Sequence, residues 1–171
     1  MKVRYENIPP ELTRLDRWVV WRGEMRNGKM TKPPYVADAG KMRHALVNRS
    51  STWSTFAKAK EVCESGEFDG IGFVLGEGIF GIDYDNVDPA LQKEALDLGT
   101  YAEWSPSGHG IHVIGRSGLQ LKGRKEGSVE LYMQGRYFTV TGNILEGSPP
   151  DVREVPDDRL LAFFRSHFTP G

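Results

Sequence analysis

The sequence has only one cysteine, Cys63, so it offers neither an internal disulfide nor the cysteine cluster of a structural zinc site. It also lacks any run of about 18 consecutive apolar residues, the length that a membrane-spanning helix requires. The opening residues, MKVRYENIPPEL, do not contain the apolar centre of a signal peptide. These absences exclude disulfide-rich secreted proteins and membrane proteins. We therefore expect a cytoplasmic protein without a membrane partner.

What the chain does contain is typical of a folded domain. Its 171 residues are 39% hydrophobic and 26% charged, a composition that excludes a disordered or fibrous chain. This length predicts a single domain over residues 1–171 with a core of its own. The 20 glycines predict many tight turns.

Charge is distributed unevenly along the chain. The net charge of −1 argues against a protein that coats duplex DNA. Residues 1–50, however, hold 11 lysines and arginines against 5 acidic residues, whereas residues 51–110 hold 3 against 11. A basic segment beside an acidic one suits a protein that handles phosphates near carboxylates. Chance variation among surface residues is the alternative.

Hydrophobic periodicity predicts a mixed order of strands and helices. The aromatic and β-branched run at 17–22 is typical of a strand, and apolar residues at helical spacing follow Ser51. That helix would begin at Ser51 or Thr52 and end at Gly66. Two apolar runs within 71–85, separated by Gly-Glu-Gly, predict a β-hairpin.

The second half of the sequence continues this mixed pattern. Asp88-Pro89 predicts the start of a helix that ends near Leu98, because proline suits the first helical position. Four strands separated by glycine turns follow, and an amphipathic helix is predicted over 155–168. The four strand segments are 100–105, 110–116, 128–133 and 135–142. This order predicts an α+β fold with a largely antiparallel sheet.

The first candidate for chemistry is the pair Asp83 and Asp85, at the end of an apolar run. In a strand, residues two apart point to the same face, with Cα atoms on the order of 7 Å apart. Two neighbouring carboxylates repel each other, and a divalent cation such as Mg²⁺ or Mn²⁺ relieves that repulsion. The alternative is a strand that ends in a polar turn, since Asp-Asn-Val-Asp-Pro favours turns.

The second candidate is the loop SPSGHG at 105–110, which leads into a strand that carries His112. Ser107, Gly108 and Gly110 can offer hydroxyl and backbone N–H groups to a phosphate. The His112 imidazole would stand on the strand face opposite Ile111 and Val113 and could donate to a triphosphate oxygen. A simple hairpin turn before a core strand is the alternative.

The third candidate is Glu130, which alternates with Val129 and Leu131 and so faces away from their core side. The Gln-Gly turn that follows delivers Arg136 to the start of the next strand. The arginine guanidinium is a forked donor that suits phosphate. Taken alone, Glu130 would be an ordinary solvated strand residue.

These features belong to a longer series of motifs in a fixed order. The series is WVVW at 18–21, KPPY at 32–35, GIGFVL at 70–75, IDYD at 82–85, SPSGHGIH at 105–112, ELY at 130–132 and GRYFTVTG at 135–142. It resembles motifs I, II and III of the archaeo-eukaryotic primase superfamily and their flanking segments. The match is closest to the primase-polymerases of phages, plasmids and integrated elements, and it covers roughly residues 15–165.

The resemblance implies a fold and an activity. The fold is an RRM-like antiparallel sheet packed with an N-terminal α/β unit, with the active site in the cleft between them. The activity is template-directed nucleotidyl transfer, as a DNA primase, a DNA polymerase or both, in the replication of a phage or mobile element. The implied partners are a ribo- or deoxyribonucleoside triphosphate, a single-stranded DNA template with its primer, and a fused or separate helicase.

The resemblance also implies roles for individual residues. Asp83, Asp85 and Glu130 would hold two Mg²⁺ or Mn²⁺ ions, one at the primer 3′-hydroxyl and one at the leaving pyrophosphate. The residues expected to bind the incoming triphosphate are Ser107, Gly108, Gly110, His112 and Arg136. Lys32 would contact the triphosphate or the template. Trp18 and Trp21 would either stack on the template or lie in the core.

Three departures and two rival functions accompany this prediction. Many superfamily members have serine where this chain has Gly110, and many have aspartate where it has Glu130.

Family polymerases usually carry a helical accessory domain or a helicase, so residues 1–171 would be either the N-terminal part of a longer replication protein or a minimal stand-alone form. The rivals are a metal-dependent nuclease and a non-catalytic module that binds nucleotide or single-stranded DNA.

Overall fold

The computed structural model describes residues 2–170, which contain both strands and helices, with a short helix near the N-terminus and a strand at 124–126 that the sequence did not predict. The strands are β1 (Trp18–Trp21), β2 (Glu24–Arg26), β3 (Lys29–Thr31), β4 (Pro34–Tyr35), β5 (Gly70–Val74), β6 (Ile79–Tyr84), β7 (Tyr101–Trp104), β8 (Ile111–Arg116), β9 (Arg124–Glu126), β10 (Val129–Tyr132) and β11 (Tyr137–Val140). The helices are α1 (Pro10–Thr13), α2 (Phe56–Glu64), α3 (Pro89–Asp97) and α4 (Asp157–His167), with 3₁₀ turns at Tyr5–Asn7 and Ser50–Thr52.

The strands form two main sheets and a separate hairpin. One sheet has four strands in the order β11-β5-β1-β4, and the other has five in the order β7-β8-β6-β10-β9. Strands β2 and β3 pair only with each other. Neighbouring strands run antiparallel in all three. The predicted α+β class is confirmed.

The hairpin predicted over 71–85 is wrong. Strand β5 pairs with β1 and β11, whereas β6 pairs with β8 and β10, so the Gly-Glu-Gly segment carries the chain from one sheet to the other. Glu77 has a φ of 54° there, a left-handed conformation that a glycine-flanked turn supports. Strand β11 makes the opposite crossing, so the last strand of the chain completes the N-terminal sheet.

The five-stranded sheet has one apolar face and one partly polar face. Ile82, Ile111 and Leu131 are fully buried in a cluster that includes Ala95 of α3 and Leu160 of α4, so these helices cover this face. Residues that alternate with these point to the other side, toward the four-stranded sheet. The candidate site residues on β6, β8 and β10 therefore lie between the two sheets.

Both tryptophans of β1 belong to the core. Trp18 is fully buried and packs edge-on against Phe73 of β5, with ring centroids 5.3 Å apart, and Trp21 is also buried. The indole of Trp18 donates to the Leu12 carbonyl. Stacking of these two residues on a template strand is therefore excluded in this fold, and the core alternative is correct.

The helix boundaries differ slightly from the prediction. Helix α2 begins after Thr55, whose hydroxyl accepts the Lys58 N–H at 3.1 Å, and Ser51 lies in the preceding 3₁₀ turn. Helix α3 begins as predicted, because the Asp88 carboxylate accepts the Leu91 N–H at 2.8 Å. No helix within residues 2–170 is long and apolar enough to span a membrane.

Candidate active site

A row of polar residues crosses all five strands of the larger sheet. Strand register places Glu130 opposite both Lys125 and Asp83, places Asp83 opposite His112, and places His112 opposite Glu103. Residues paired in this way share one face of the sheet, with Cβ atoms about 4.5–5.5 Å apart. The three predicted motifs thus meet in adjacent positions of one row.

A cavity of about 350 Å³ lies above this row, between the two sheets. Its lining residues are Lys32, Asp83, Asp85, Ser105, Pro106, Ser107, Gly110, His112, Glu130, Tyr132, Arg136, Tyr137, Phe138 and Thr139. Eight of the nine predicted site residues are among them. Gly108 is the exception, because it lies on the far side of its loop, beside Trp104 and His109.

His112 connects the two walls of the cavity. Its Nδ1 lies 3.0 Å from the Thr139 carbonyl on β11, which can only accept, so Nδ1 carries the proton. Its Nε2 lies 3.5 Å from Oδ1 of Asp83. The ring also packs against Phe138, with centroids 4.9 Å apart. These contacts orient Nε2 toward the carboxylate side of the cavity.

Glycine at position 81 makes room for the Phe138 ring beside the polar row. A Cβ there would lie 2.5 Å from the Phe138 ring, so any other residue at this position would force the ring or the strand to move. Gly81 stands two residues before Asp83, on the same face of β6. The sequence Gly-Ile-Asp therefore lets an aromatic ring pack close to a partly buried carboxylate.

Burial dominates the electrostatics of the row. It raises the pKa of Asp83, and the negative charges of Glu130 and Asp85 raise it further, while His112 acts in the opposite direction. Burial also raises the pKa of Glu103, whose side chain is fully buried. Asp83 and Glu103, which flank His112 in the row, thus hold a proton more readily than exposed carboxyl groups do.

Glu103 is a site residue that the motifs do not indicate. Its carboxylate accepts the Tyr101 hydroxyl at 2.7 Å, the Thr141 N–H at 2.8 Å and the Gly142 N–H at 3.0 Å. The two N–H groups follow β11, so Glu103 fixes the end of that strand to the five-stranded sheet. Its i, i+2 spacing from Tyr101 was visible in the sequence, but its partners 38 and 39 residues away were not.

Glu130 and Arg136 are linked through an aromatic ring. The Tyr132 hydroxyl donates to Glu130 Oε1 at 2.8 Å, and the Arg136 guanidinium lies 4.6 Å from the centre of the Tyr132 ring. Burial raises the pKa of Tyr132, and the hydrogen bond to Glu130 raises it further. Arg136 itself is exposed, so its donors are available to an anion.

The 105–110 loop is more closed than a phosphate cradle requires. The N–H of Gly108 donates to the Ser105 carbonyl, that of His109 to the Ser107 hydroxyl, and that of Gly110 to the Ser105 hydroxyl. The predicted backbone donors of Gly108 and Gly110 are therefore already used. The loop presents the Ser107 hydroxyl to the cavity instead, 3.1 Å from that of Ser105.

The departure at Gly110 has a steric reason. A Cβ at this position would lie 2.8 Å from the Tyr84 carbonyl oxygen and 3.0 Å from the Ser105 hydroxyl. The Ser105 side chain therefore stands beside the space that a serine at position 110 would enter. Lys32 also lines the cavity, and its backbone carbonyl accepts the Tyr137 hydroxyl.

The three acidic residues supply hard oxygen donors of the kind that Mg²⁺ and Mn²⁺ prefer. Within residues 2–170, however, no three carboxylate, imidazole or thiol groups converge into a ready-made metal cage. Asp85 Oδ1 accepts the Asn86 N–H, and Glu130 is held by Tyr132. This donor set fits ions that share their coordination with substrate phosphates and water. The two-ion site remains a prediction.

A comparison with known proteins bears on this arrangement. No protein-family profile matches the chain. The chain is 29% identical over 172 aligned positions to a DNA primase-polymerase of Nitratiruptor phage NrS-1, an alignment that covers 91% of this chain. The resemblance to the primase-polymerases is confirmed. The chain spans 23% of the length of that phage primase-polymerase, and the alignment therefore concerns one part of the relative.

Proposed function

We propose that this domain catalyses template-directed nucleotidyl transfer, as a primase, a polymerase or both. The observation that carries the proposal is the polar row of Glu130, Asp83 and His112 beneath a cavity whose rim holds Arg136 and Lys32. Carboxylates and cationic donors around one cavity suit a substrate that carries both a divalent ion and a polyphosphate. The relationship to a phage primase-polymerase supports the same reaction class.

In this proposal, Asp83, Asp85 and Glu130 hold two divalent ions, either Mg²⁺ or Mn²⁺. Bound ions of this kind neutralise developing charge on the phosphates and make a hydroxyl a better nucleophile. The protein residues orient the substrate. The Arg136 guanidinium donates to triphosphate oxygens, and so does His112 Nε2 in the imidazolium form, in which both ring nitrogens carry a proton. The Ser107 hydroxyl adds a neutral donor. Lys32, which also lines the cavity, contributes a second positive charge. A DNA template directs which nucleotide is joined to the primer.

The binding groups distinguish this reaction from the two rivals. A nuclease needs carboxylates and metal ions but no group that holds a triphosphate, and His112 with Arg136 provides such a group. A pure binding module needs no cluster of acidic residues, because carboxylates such as Asp83 weaken the binding of phosphate. Both features together therefore favour transfer of a nucleotide.

The decisive experiment is incorporation of a labelled nucleotide onto a primed template, with and without Mg²⁺ or Mn²⁺. We expect metal-dependent extension by the parental chain and none by the double variant Asp83→Asn with Asp85→Asn. The matched control is Asp97→Asn, an exposed residue of α3 paired with Lys93, which should extend normally. Cleavage of the DNA without extension would favour the nuclease, and nucleotide binding without either would favour the binding module.

A further inference from the structure

Exposed apolar side chains are concentrated in one basic part of the molecule. Across the described residues, the large apolar side chains that stand exposed are Met25, Met30, Met42 and Leu46. All four lie within the first 50 residues, where lysine and arginine outnumber acidic residues by 11 to 5. Single-stranded nucleic acid presents both bases and phosphates, so exposed apolar groups among cations suit such a ligand.

The most exposed of these residues form the β2–β3 hairpin. Met25 and Met30 are 63% and 58% exposed and pair directly across the two strands. The turn between the strands is Asn27-Gly28, with φ values of 52° and 77°, the conformation that a tight two-residue hairpin requires. The hairpin therefore holds both methionine side chains on one face of a narrow ribbon.

The other face of the hairpin carries two like charges. Arg26 and Lys29 are directly opposite each other, an arrangement that destabilises an antiparallel pair. Glu24 lies 3.8 Å from Arg26 and also contacts Arg22, so one carboxylate is shared between two guanidinium groups. Anionic groups bound beside Arg26 and Lys29 would relieve their repulsion. Consecutive phosphates of a nucleic-acid strand supply such charges.

The base of the hairpin is fixed beside the cavity. The Gly23 N–H donates to the Asp69 carboxylate at 2.7 Å, and the Thr31 hydroxyl donates to the Glu24 carbonyl at 2.8 Å. Lys32 follows β3 directly and lines the cavity, where Tyr137 holds its carbonyl. A nucleic-acid strand that leaves the cavity past Lys32 would therefore meet the hairpin next.

We propose that the β2–β3 hairpin binds single-stranded DNA that enters or leaves the cavity. Arg26 and Lys29 contact consecutive phosphates of that strand, and Met25 with Met30 provides an apolar surface for a base. This proposal rests on the proposed function, because it takes the strand to be the template. An acidic protein partner could satisfy the two charges, but the continuity with a nucleotide-sized cavity favours nucleic acid.

The test is titration of a fluorescent single-stranded oligonucleotide at several salt concentrations. Loss of two phosphate contacts should reduce the steepness of the plot of log association constant against log salt concentration by about 1.4. At 0.1 M salt it should weaken binding roughly 25-fold. We expect this of Arg26→Ala with Lys29→Ala. For Met25→Ser with Met30→Ser we expect about fivefold weaker binding with the parental salt slope, because the lost contact is apolar.

A control with the same change in net charge is Lys58→Ala with Lys93→Ala, which removes two exposed helix lysines outside the cavity and the hairpin. Parental affinity and salt slope in the Arg26/Lys29 variant would overturn the proposal, and so would an equal loss in the control. Thermal unfolding of each variant checks that it folds. Nucleotide titration with Mn²⁺ on the same samples separates the two proposals, because loss of the hairpin contacts should leave nucleotide affinity unchanged. Failure of the parental chain to bind or incorporate nucleotide would instead count against the proposed function.

Discussion

Glu103 lies directly opposite His112 on neighbouring strands, and both side chains reach the same segment of the other sheet. His112 bonds to the Thr139 carbonyl, while Glu103 accepts the N–H groups of Thr141 and Gly142. Both residues therefore connect the five-stranded sheet to β11 or its end. These bonds hold β11, with Arg136 just before it, against the five-stranded sheet that carries the acidic residues.

This connection predicts unequal effects on stability. Glu103→Ala leaves two buried N–H groups and the Tyr101 hydroxyl without their acceptor, and each such loss costs about 1–3 kcal/mol. Tyr101→Phe removes one hydrogen bond and should cost about 1 kcal/mol. Since 1 kcal/mol corresponds to about 2–4 °C in Tm for a chain of this size, thermal unfolding resolves the two variants. Similar Tm values for both would show that the Glu103 bonds contribute little.

The sequence predicted which residues face the site better than it predicted how the strands pair. Alternation along each strand correctly places Asp83, His112 and Glu130 on the side away from the apolar helices. Their register with one another depends on pairings between distant strands, which periodicity does not encode. Residues from β11, such as Phe138 and Thr139, join the site only because that strand crosses to the other sheet.

Glycine-rich segments were the least predictable parts of the chain. Gly-Glu-Gly at 76–78 has the composition of a hairpin turn, yet the flanking strands find better partners in separate sheets. The loop at 105–110 has the composition of a phosphate cradle, yet the Ser105 and Ser107 hydroxyls and the Ser105 carbonyl accept its backbone N–H groups. In both cases local composition is compatible with two structures, and contacts outside the segment select one.

Asp83→Asn should raise stability at neutral pH. Burial raises the pKa of Asp83 above its ordinary value of 3.8, so the folded protein holds this proton more tightly than the unfolded chain does. The stability from this group is fully present below pH 3.8 and is lost as the pH rises through the raised, folded-state pKa. The Tm difference between Asp83→Asn and the parental chain should therefore be small in acid and grow toward neutrality. Without metal or nucleotide, a lower Tm for the variant at pH 7 would contradict this prediction.

Divalent ions should bind weakly to the protein alone and more tightly with a nucleoside triphosphate. The reason is that Asp83, Asp85 and Glu130 line the cavity without forming a complete cage, so phosphate oxygens must supply further ligands. Calorimetric titration of Mn²⁺ with and without a non-hydrolysable triphosphate measures the difference. Tight binding that does not depend on nucleotide would indicate a structural ion instead.

Removal of a cationic donor should weaken nucleotide binding more than oligonucleotide binding. Arg136→Ala deletes an exposed guanidinium at the cavity rim, and one charge-assisted contact is worth roughly 1.5–3 kcal/mol, or about 10- to 150-fold in affinity. His112→Asn removes the imidazole Nε2 and should have an effect in the same range, with some loss of stability from its bond to Thr139. Arg136→Lys keeps the charge but not the fork, so it should recover only part of the affinity.

The comparison that decides this last prediction uses the same variants in two titrations. A labelled nucleoside triphosphate with Mn²⁺ reports on the cavity, and a fluorescent single-stranded oligonucleotide reports on the basic segment at 14–49. Oligonucleotide binding should fall with added salt in every variant, since the phosphates of that strand are neutralised by lysines and arginines outside the polar row. If Arg136→Ala and His112→Asn lose oligonucleotide affinity but keep nucleotide affinity, the cavity holds a DNA strand and not a triphosphate, and a non-catalytic binding module becomes the better description.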